Sequence, residues 1–340
     1  VVRELEASGF AAWDSYVRDS ANATFFHLSG WKTVLELAFG HKAHFLCAEH
    51  GGAIVGILPL AQVKSALFGN SLSSLPFCVY GGIVAATDEA ATALRAAACR
   101  LAQDLEVEAL ELRNKHPSDA GWPVKELYYT FRKSIAEDDE ANLMAIPNRQ
   151  RAMIRKGIKE GLQSEWDADT DRLYRVYAES VRNLGTPVFS AKNLRILREV
   201  FGDDCSVLMI THDGRDVAGV MNFYFKDEVL PYYGGSTAAA RTIKGVNHFM
   251  YWELMRRSRE QGYKLFDFGR SKAGTGPFSF KKNFGFEPQP LPYEYHLVKA
   301  DAVPDINPLN PKYRLLVNTW TKLPLPLANF VGPYLARSLG

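Results

Sequence analysis

Several features that commonly identify a protein are missing from this 340-residue chain. No apolar run approaches about 20 residues, so no segment reads as a membrane-spanning helix. The four cysteines, Cys47, Cys78, Cys99 and Cys205, are scattered among apolar neighbours. That spacing suits neither a disulfide framework nor a zinc ribbon and points to a reducing compartment. Neither charge sign is in excess: 40 Lys+Arg against 38 Asp+Glu leave +2. Anion binding must therefore come from a local patch, and DNA is not an expected partner. The opening stretch VVRELEASGFAAWDSYV carries charges every few positions and lacks a signal peptide's apolar core, which makes the cytoplasm the expected location. Neither a Gly-x-Ser-x-Gly elbow nor a P-loop occurs, so serine-hydrolase and NTPase chemistry lack their signatures.

What is present is an internal echo. HGGAIVGILPLAQV is followed by SLPFCVYGGIV, ATALRAAACRLAQDLEV and ALELRNK. Later, THDGRDVAGVMNFYF is followed by EVLPYYGGST, NHFMYWELMRRSREQ and KLFDFGRSK. Each copy reads as strand, glycine turn, strand, a further strand ending in Tyr-Gly-Gly, amphipathic helix, strand. Gly51-Gly52 and Asp213-Gly214 are hairpin signals. Leu94, Ala97, Leu101 and Leu105 recur at helical spacing, as do Phe249, Trp252, Leu254 and Met255. Separations of 31 residues from Tyr80 to Glu111 and 34 from Tyr233 to Asp267 favour duplication. The expected fold is α/β (α+β): two duplicated domains, each a mixed sheet flanked by helices. The first is expected over 1–142, completed by the tail 300–340; the second is expected over 143–299.

Between the copies, Pro147 is placed to start a helix on which Arg149, Arg151, Arg155, Lys156 and Lys159 form the densest basic patch. Met153, Ile154, Ile158 and Leu162 supply its apolar side. The tail carries prolines that allow two short helices parted at Leu323–Pro326. Trp320, Leu327, Phe330, Val331 and Leu335 are expected to be buried, or the tail to serve as a membrane-surface contact. His41, His44, Cys47 and His50 recur every third residue, but KAHFLCAEH reads as a strand, which divides them between two faces. No metal site is expected there.

A hairpin, a Tyr-Gly-Gly strand end, a basic loop and a helix resemble acyltransferases of the GNAT superfamily. Two such units resemble the FemAB family. The motifs ESVRNLGTPVFS (179–190), LPYYGG (230–235), FDFGRSK (266–272), FKKNFGFEP (280–288) and NPLNPKY (307–313) resemble the FemAB-like proteins of PEP-CTERM/exosortase and exopolysaccharide loci. The resemblance covers almost the whole chain and implies tandem GNAT-like (acyl-CoA N-acyltransferase-like) domains. It also implies transfer of an amino acid from aminoacyl-tRNA to an amine of a cell-envelope precursor, either peptidoglycan or exopolysaccharide. An acyl-CoA donor is the alternative within the superfamily, and a silent scaffold of polymer export the alternative outside it. No tightly bound cofactor is implied. Location at the inner face of the cytoplasmic membrane would suit such an acceptor.

The resemblance lands most heavily on FDFGRSKAGTGPFSFKKNFGF (266–286). Lys281 matches the Phe-Lys position near the acyl-transfer centre, where it would stabilise the oxyanion or hold donor phosphates. Lys282 points elsewhere if the segment is extended. Asp267 is a candidate general base; the alternative is that it pairs with Arg270 or caps a turn. Arg270, Lys272, Gly274 and Gly276 complete a candidate donor-binding segment, the glycines allowing close backbone approach. Before the second helix, Arg241-Thr-Ile-Lys244-Gly245-Val-Asn247 resembles a pyrophosphate loop one residue too long. Arg241 and Lys244 are phosphate candidates there, the alternative being simple capping by Asn247. The first copy has the acidic TDEAATALR instead and is expected to have lost donor binding. Tyr232, Tyr233 and Phe280 are candidate cleft-lining residues.

Overall fold

A computed structural model describes residues 1–65, 68–304 and 317–339; the NPLNPKY motif (307–313) lies outside the described residues. The chain divides into two compact units, one of Val1–Tyr128, Pro290–Asn307 and Arg337–Gly340, the other of Tyr129–Gln289 and Pro308–Ala336.

The first unit contains β1 (Val2–Glu4), α1 (Phe10–Asp19), α2 (Gly30–Val34), β2 (Lys42–His50), β3 (Ala53–Ser65), β4 (Gly69–Ser73), β5 (Val84–Ala85), α3 (Asp88–Asp104), β6 (Ala109–Arg113) and β7 (Val124–Lys125). Its sheet runs β1-β2-β3-β4-β6, then the returning strand Tyr293–Leu297, then β7, with β5 on β3. β4 and β6 pair in parallel, which requires a crossover, and α3 supplies it. The helix buries Ala90, Leu94, Ala98 and Ala102 against Leu46, Leu58, Leu60 and Leu110, so small residues let it lie close on the sheet.

The second unit contains β8 (Tyr128–Ser134), α4 (Asp139–Met144), α5 (Asn148–Lys159), β9 (Gln163–Asp167), α6 (Asp171–Asn183), α7 (Ala191–Phe201), β10 (Cys205–His212), β11 (Arg215–Phe225), β12 (Glu228–Ser236), α8 (Val246–Glu260), β13 (Leu265–Asp267), β14 (Ser271–Lys272), α9 (Gly276–Asn283) and α10 (Leu325–Ala336). The sheet order is β14-β8-β13-β12-β11-β10-β9. β12 and β13 pair in parallel, and α8 makes the crossover. The turn Asp213-Gly214 takes φ of 49° and 72°, the twist that a two-residue hairpin needs. Phe249, Leu254, Phe266 and Phe284 centre the core between sheet and helices.

Both units thus share antiparallel hairpin, third strand, helix and parallel strand, the mixed sheets and flanking helices anticipated from the repeat. Three expectations need correction. The boundary falls before β8 instead of at 142/143, because β8 ladders onto β13. The second unit stops short of 299, because Tyr293–Leu297 pairs with β6 of the first. The tail helix α10 packs on α6 and so belongs to the second unit, not the first. Tyr80-Gly81-Gly82 also differs from its counterpart: β4 ends at Ser73, so this trio sits in a loop, whereas Tyr233-Gly234-Gly235 lies within β12.

The histidines of β2 fall on a strand as expected, His44 buried and His50 exposed. Among the described residues no group of His, Cys, Asp or Glu is placed to hold a metal ion.

Candidate functional site in the second unit

The cleft begins where two parallel strands part. β12 and β13 pair only at Glu228↔Leu265 and Val229↔Phe266. Immediately beyond, the register of β12 against β11 shifts between Met221 and Asn222, a bulge that bends β12. The edge of β12 from Leu230 onward has no strand partner on the β13 side among the described residues. The opening beside it has a volume of about 290 Å³.

Four elements line it: the end of β12 with Gly234, Gly235 and Ser236; α8 with Asn247, Met250 and Tyr251; α9 with Gly276, Pro277, Phe280 and Lys281; and Ser180 of α6. Phe268, just past β13, closes the floor. A Cβ on Gly235 would lie 2.5 Å from that of Ser180, so glycine is what lets α6 approach the strand here.

Helix α8 starts at an unusual N-cap. Gly245 has φ +81° and offers no side chain to its first turn. α5 crosses this point closely: a Cβ on Gly245 would meet Met153 O at 2.2 Å, and one on Gly157 would meet Phe249 Cβ at 3.0 Å. Gln150 Oε1 and His248 Nε2, 2.9 Å apart, join the two helices. Asn247 lies two residues inside α8 and is exposed, so the alternative that it caps the helix is corrected. The first unit differs: Thr87 accepts from Ala90 N at 3.2 Å, and Asp88 and Glu89 occupy the first turn of α3. The start of α8 thus carries no side-chain cap, whereas that of α3 is capped by its own residue.

Lys281 is held by a helix, not by the extended segment expected. Thr275 caps α9 by accepting from Phe278 N at 3.4 Å, and Pro277 falls in the first turn. Nζ donates to Gly269 O and Arg270 O, both at 3.1 Å, and lies 5.5 Å from the ring centroids of Phe131 and Phe268. Desolvation among these groups pushes the ammonium down to about 7, against the raising pull of Asp267. Lys282, one helical step on, is exposed. Phe280 stacks on Phe284 at 5.6 Å and meets Tyr251 at 5.7 Å, forming the apolar wall.

Asp267 does not reach the cleft. It is fully buried, with Oδ2 3.2 Å from Arg132 Nε and Oδ1 accepting from Gly269 N at 2.8 Å. A general base must touch the proton it removes, so the assignment of Asp267 as base is corrected. It pairs with Arg132 and, as the alternative reading had it, caps the turn at Gly269. It positions Gly269, whose carbonyl in turn holds Lys281.

The remaining candidates separate. Arg241 and Lys244 are exposed on the loop leading into α8, and neither lines the cleft. Arg270 and Lys272 contribute backbone carbonyls, accepting from Lys281 Nζ and from the Thr275 hydroxyl at 2.7 Å. Gly274 takes φ +75° in the turn before α9, and Gly276 reaches the cleft wall. On α5, Arg149, Arg155, Lys156 and Lys159 are exposed, while Arg151 donates to Met144 O at 3.1 Å; none lines the cleft. Tyr232 and Tyr233 are corrected as cleft-lining residues: Tyr233 is buried against Tyr177 and Phe189, and neither tyrosine reaches the opening.

Ser180, Met250, Tyr251 and Phe268 were not singled out from the sequence, because a helix or strand pattern marks a buried side without saying which part borders a gap. Equally unannounced is a first-unit cavity of about 360 Å³ bordered by His27, Arg95, Asn114, Lys115 and His116. There His27 Nδ1 accepts from Thr24 N at 3.1 Å while Nε2 donates to Gly82 O at 3.0 Å. Burial pushes this imidazole down to about 4, so it is neutral.

Residues 148–282 match the model of the acetyltransferase (GNAT) domain, the span that holds this cleft. The structure of FemX is similar over 93% of this chain and 100% of that one, at 15% identity and TM-score 0.68. That of L-PGS from Bacillus licheniformis covers 95% and 99%, at 13% identity and TM-score 0.58. A tandem GNAT protein from the clavulanic acid biosynthesis pathway covers 87% and 98%, at 13% identity and TM-score 0.57. No curated protein sequence matches the chain. The fold is therefore a tandem GNAT fold, and residues 148–282 of the second unit are similar to the acetyltransferase (GNAT) domain.

Proposed function

We propose that the protein is an N-acyl or aminoacyl transferase that forms an amide on an amine of a cell-envelope precursor, peptidoglycan or exopolysaccharide, as in PEP-CTERM-associated FemAB-like proteins. The observation that carries this reading is Lys281: a lysine held by two carbonyls at the wall of a cleft between parting strands, with its pKa pushed down to about 7. An ammonium has three N–H groups, and two are used. The third is available where an acyl carbonyl entering the cleft would develop negative charge.

In the reaction, the acceptor nitrogen attacks the acyl carbon and a C–N bond forms. The tetrahedral oxyanion collapses with loss of the C–O bond to a ribose, or the C–S bond to a thiol. The amine's proton leaves to the departing group or to solvent. The unpaired edge of β12 at Gly234 and Gly235 would align the acyl group, and Phe280 and Tyr251 would exclude water from its apolar side. The exposed cations of α5, with Arg241 and Lys244, are assigned to the donor's phosphates.

The favoured donor is aminoacyl-tRNA, drawn from a cytoplasmic pool. Acyl-CoA is the second reading, supported by the GNAT acetyltransferase match and by the uncapped start of α8. Incubating an acceptor panel with charged tRNA or with acyl-CoA and weighing the products separates the two donors. No adduct from either donor would refute the transferase reading. An acyl-CoA donor should also raise the melting temperature by linkage.

A further inference from the structure

The second unit carries a helix arranged contrary to its surroundings. Along α10, Ala328, Gly332 and Ala336 are buried, and Gly332 lies so close to Val188 that a Cβ would fall 2.9 Å from its carbonyl oxygen. Leu327, Phe330 and Tyr334 remain 46%, 71% and 63% exposed. At about 100° per residue these three fall within roughly 60° of one another, opposite the small residues. A water-facing helix turns its large apolar side chains inward; this one turns its smallest inward and its largest outward. The expectation that Leu327 and Phe330 are buried is thereby corrected.

The helix is fixed in this pose. Leu325 packs on Ala178, Val181 and Val188, and Arg182 Nη1 donates to Thr321 O at 3.1 Å. The contact therefore runs through α6, which also supplies Ser180 to the cleft.

Charge indicates what would cover the face. From Ile306 to Gly340 the sequence has no Asp or Glu and four cations, Lys312, Arg314, Lys322 and Arg337. An acid-free segment with exposed aromatic and leucine side chains complements anionic headgroups over an apolar layer. Twelve residues span about 18 Å, too short to cross a hydrocarbon core of about 30 Å. No described helix is long and apolar enough to cross a membrane.

We propose that α10 is an interfacial anchor that seats the second unit on an anionic lipid bilayer. Leu327, Phe330 and Tyr334 enter the headgroup boundary, and Lys322 and Arg337, just before and just after the helix, hold the phosphates. The inference stands independently of the transferase reading, since it concerns binding alone.

The test is flotation of the whole chain with phosphatidylglycerol-containing vesicles and with pure phosphatidylcholine vesicles, at low and high salt. Wild type should float with the anionic vesicles, and salt or neutral lipid should weaken that binding. Phe330→Ser with Tyr334→Ser should reduce binding roughly tenfold or more, because two apolar side chains leave the boundary. Both side chains are exposed, so an unchanged melting curve would confirm an intact fold. Lys322→Glu should weaken binding to anionic vesicles alone. Unchanged flotation of the double variant would overturn the proposal, as would absence of binding to every vesicle. Equal binding to phosphatidylcholine would overturn the anionic preference. A wild-type dimer that the double variant converts to monomer, with no vesicle binding, would assign the face to a second copy instead.

Discussion

Replacing Lys281 by Met keeps most of the stem volume in place and removes Nζ from its position 3.1 Å from two carbonyls and 5.5 Å from two rings. If the remaining N–H stabilises the oxyanion, the loss should resemble removal of one oxyanion donor, about 10²–10³ in rate, or roughly 2.7–4 kcal/mol. The pH profile carries more information than the rate alone. With its pKa pushed down to about 7, the lysine is mostly charged at pH 6, and only about a tenth charged at pH 8. The acceptor amine titrates too, so the measured quantity should be the wild-type to Lys281→Met ratio of kcat/KM, in which that titration cancels. The ratio should be largest near pH 6 and shrink about tenfold per unit above pH 7. A ratio that is flat, or that grows with pH, would refute the oxyanion role; growth would assign neutral Lys281 as the base. Stability supplies a second check. The folded lysine titrates near 7 and the unfolded one at 10.5, so between those values the unfolded chain binds more protons. Wild-type stability should therefore rise from pH 7 towards 10.5, relative to the Met variant; below pH 7 the offset between the two should stay constant, with the penalty of burying the ammonium fully present.

Asp267→Ala should cost about 1–3 kcal/mol in urea unfolding, because it removes the acceptor of Gly269 N and one of the two carboxylates that Arg132 meets, Glu228 being the other; wild-type stability with no transfer activity would restore Asp267 as the base. Gly235→Ala should cost about 1–3 kcal/mol and slow transfer, since the new methyl forces Ser180 of α6 towards the cleft. Gly245→Ala should cost at least about 2 kcal/mol, combining a left-handed φ with a clash against Met153 O; chemical denaturation reads both glycine variants, and unaltered midpoints would contradict the close crossings of α6 and α5.

The duplication was legible because hydrophobic period, glycine turns and order of elements are properties of neighbouring residues. The hairpin at Asp213-Gly214, the helix after Pro147 and the crossover helices α3 and α8 follow from such local rules. Lys281 was legible for another reason, a resemblance of motifs around FKKNFGF. Roles that depend on neighbours distant in sequence were not. Asp267 reads alike as a base or as a buried anchor until β8 brings Arg132 to within 3.2 Å. Tyr232 and Tyr233 border the glycines of the cleft in sequence, yet Tyr233 is drawn into the aromatic cluster under α6. Phe330 reads as core by composition and is exposed because Gly332 and Ala328 allow the opposite face of α10 to dock. The sequence by itself determined two similar sheets, their helices and the lysine-bearing segment, since short-range backbone and polarity preferences suffice for these. Only tertiary packing decided that β12 and β13 part after two residues, that α8 begins uncapped under α5, and that Lys281 is held by the carbonyls of Gly269 and Arg270. Those outcomes depend on which surfaces exclude solvent from one another.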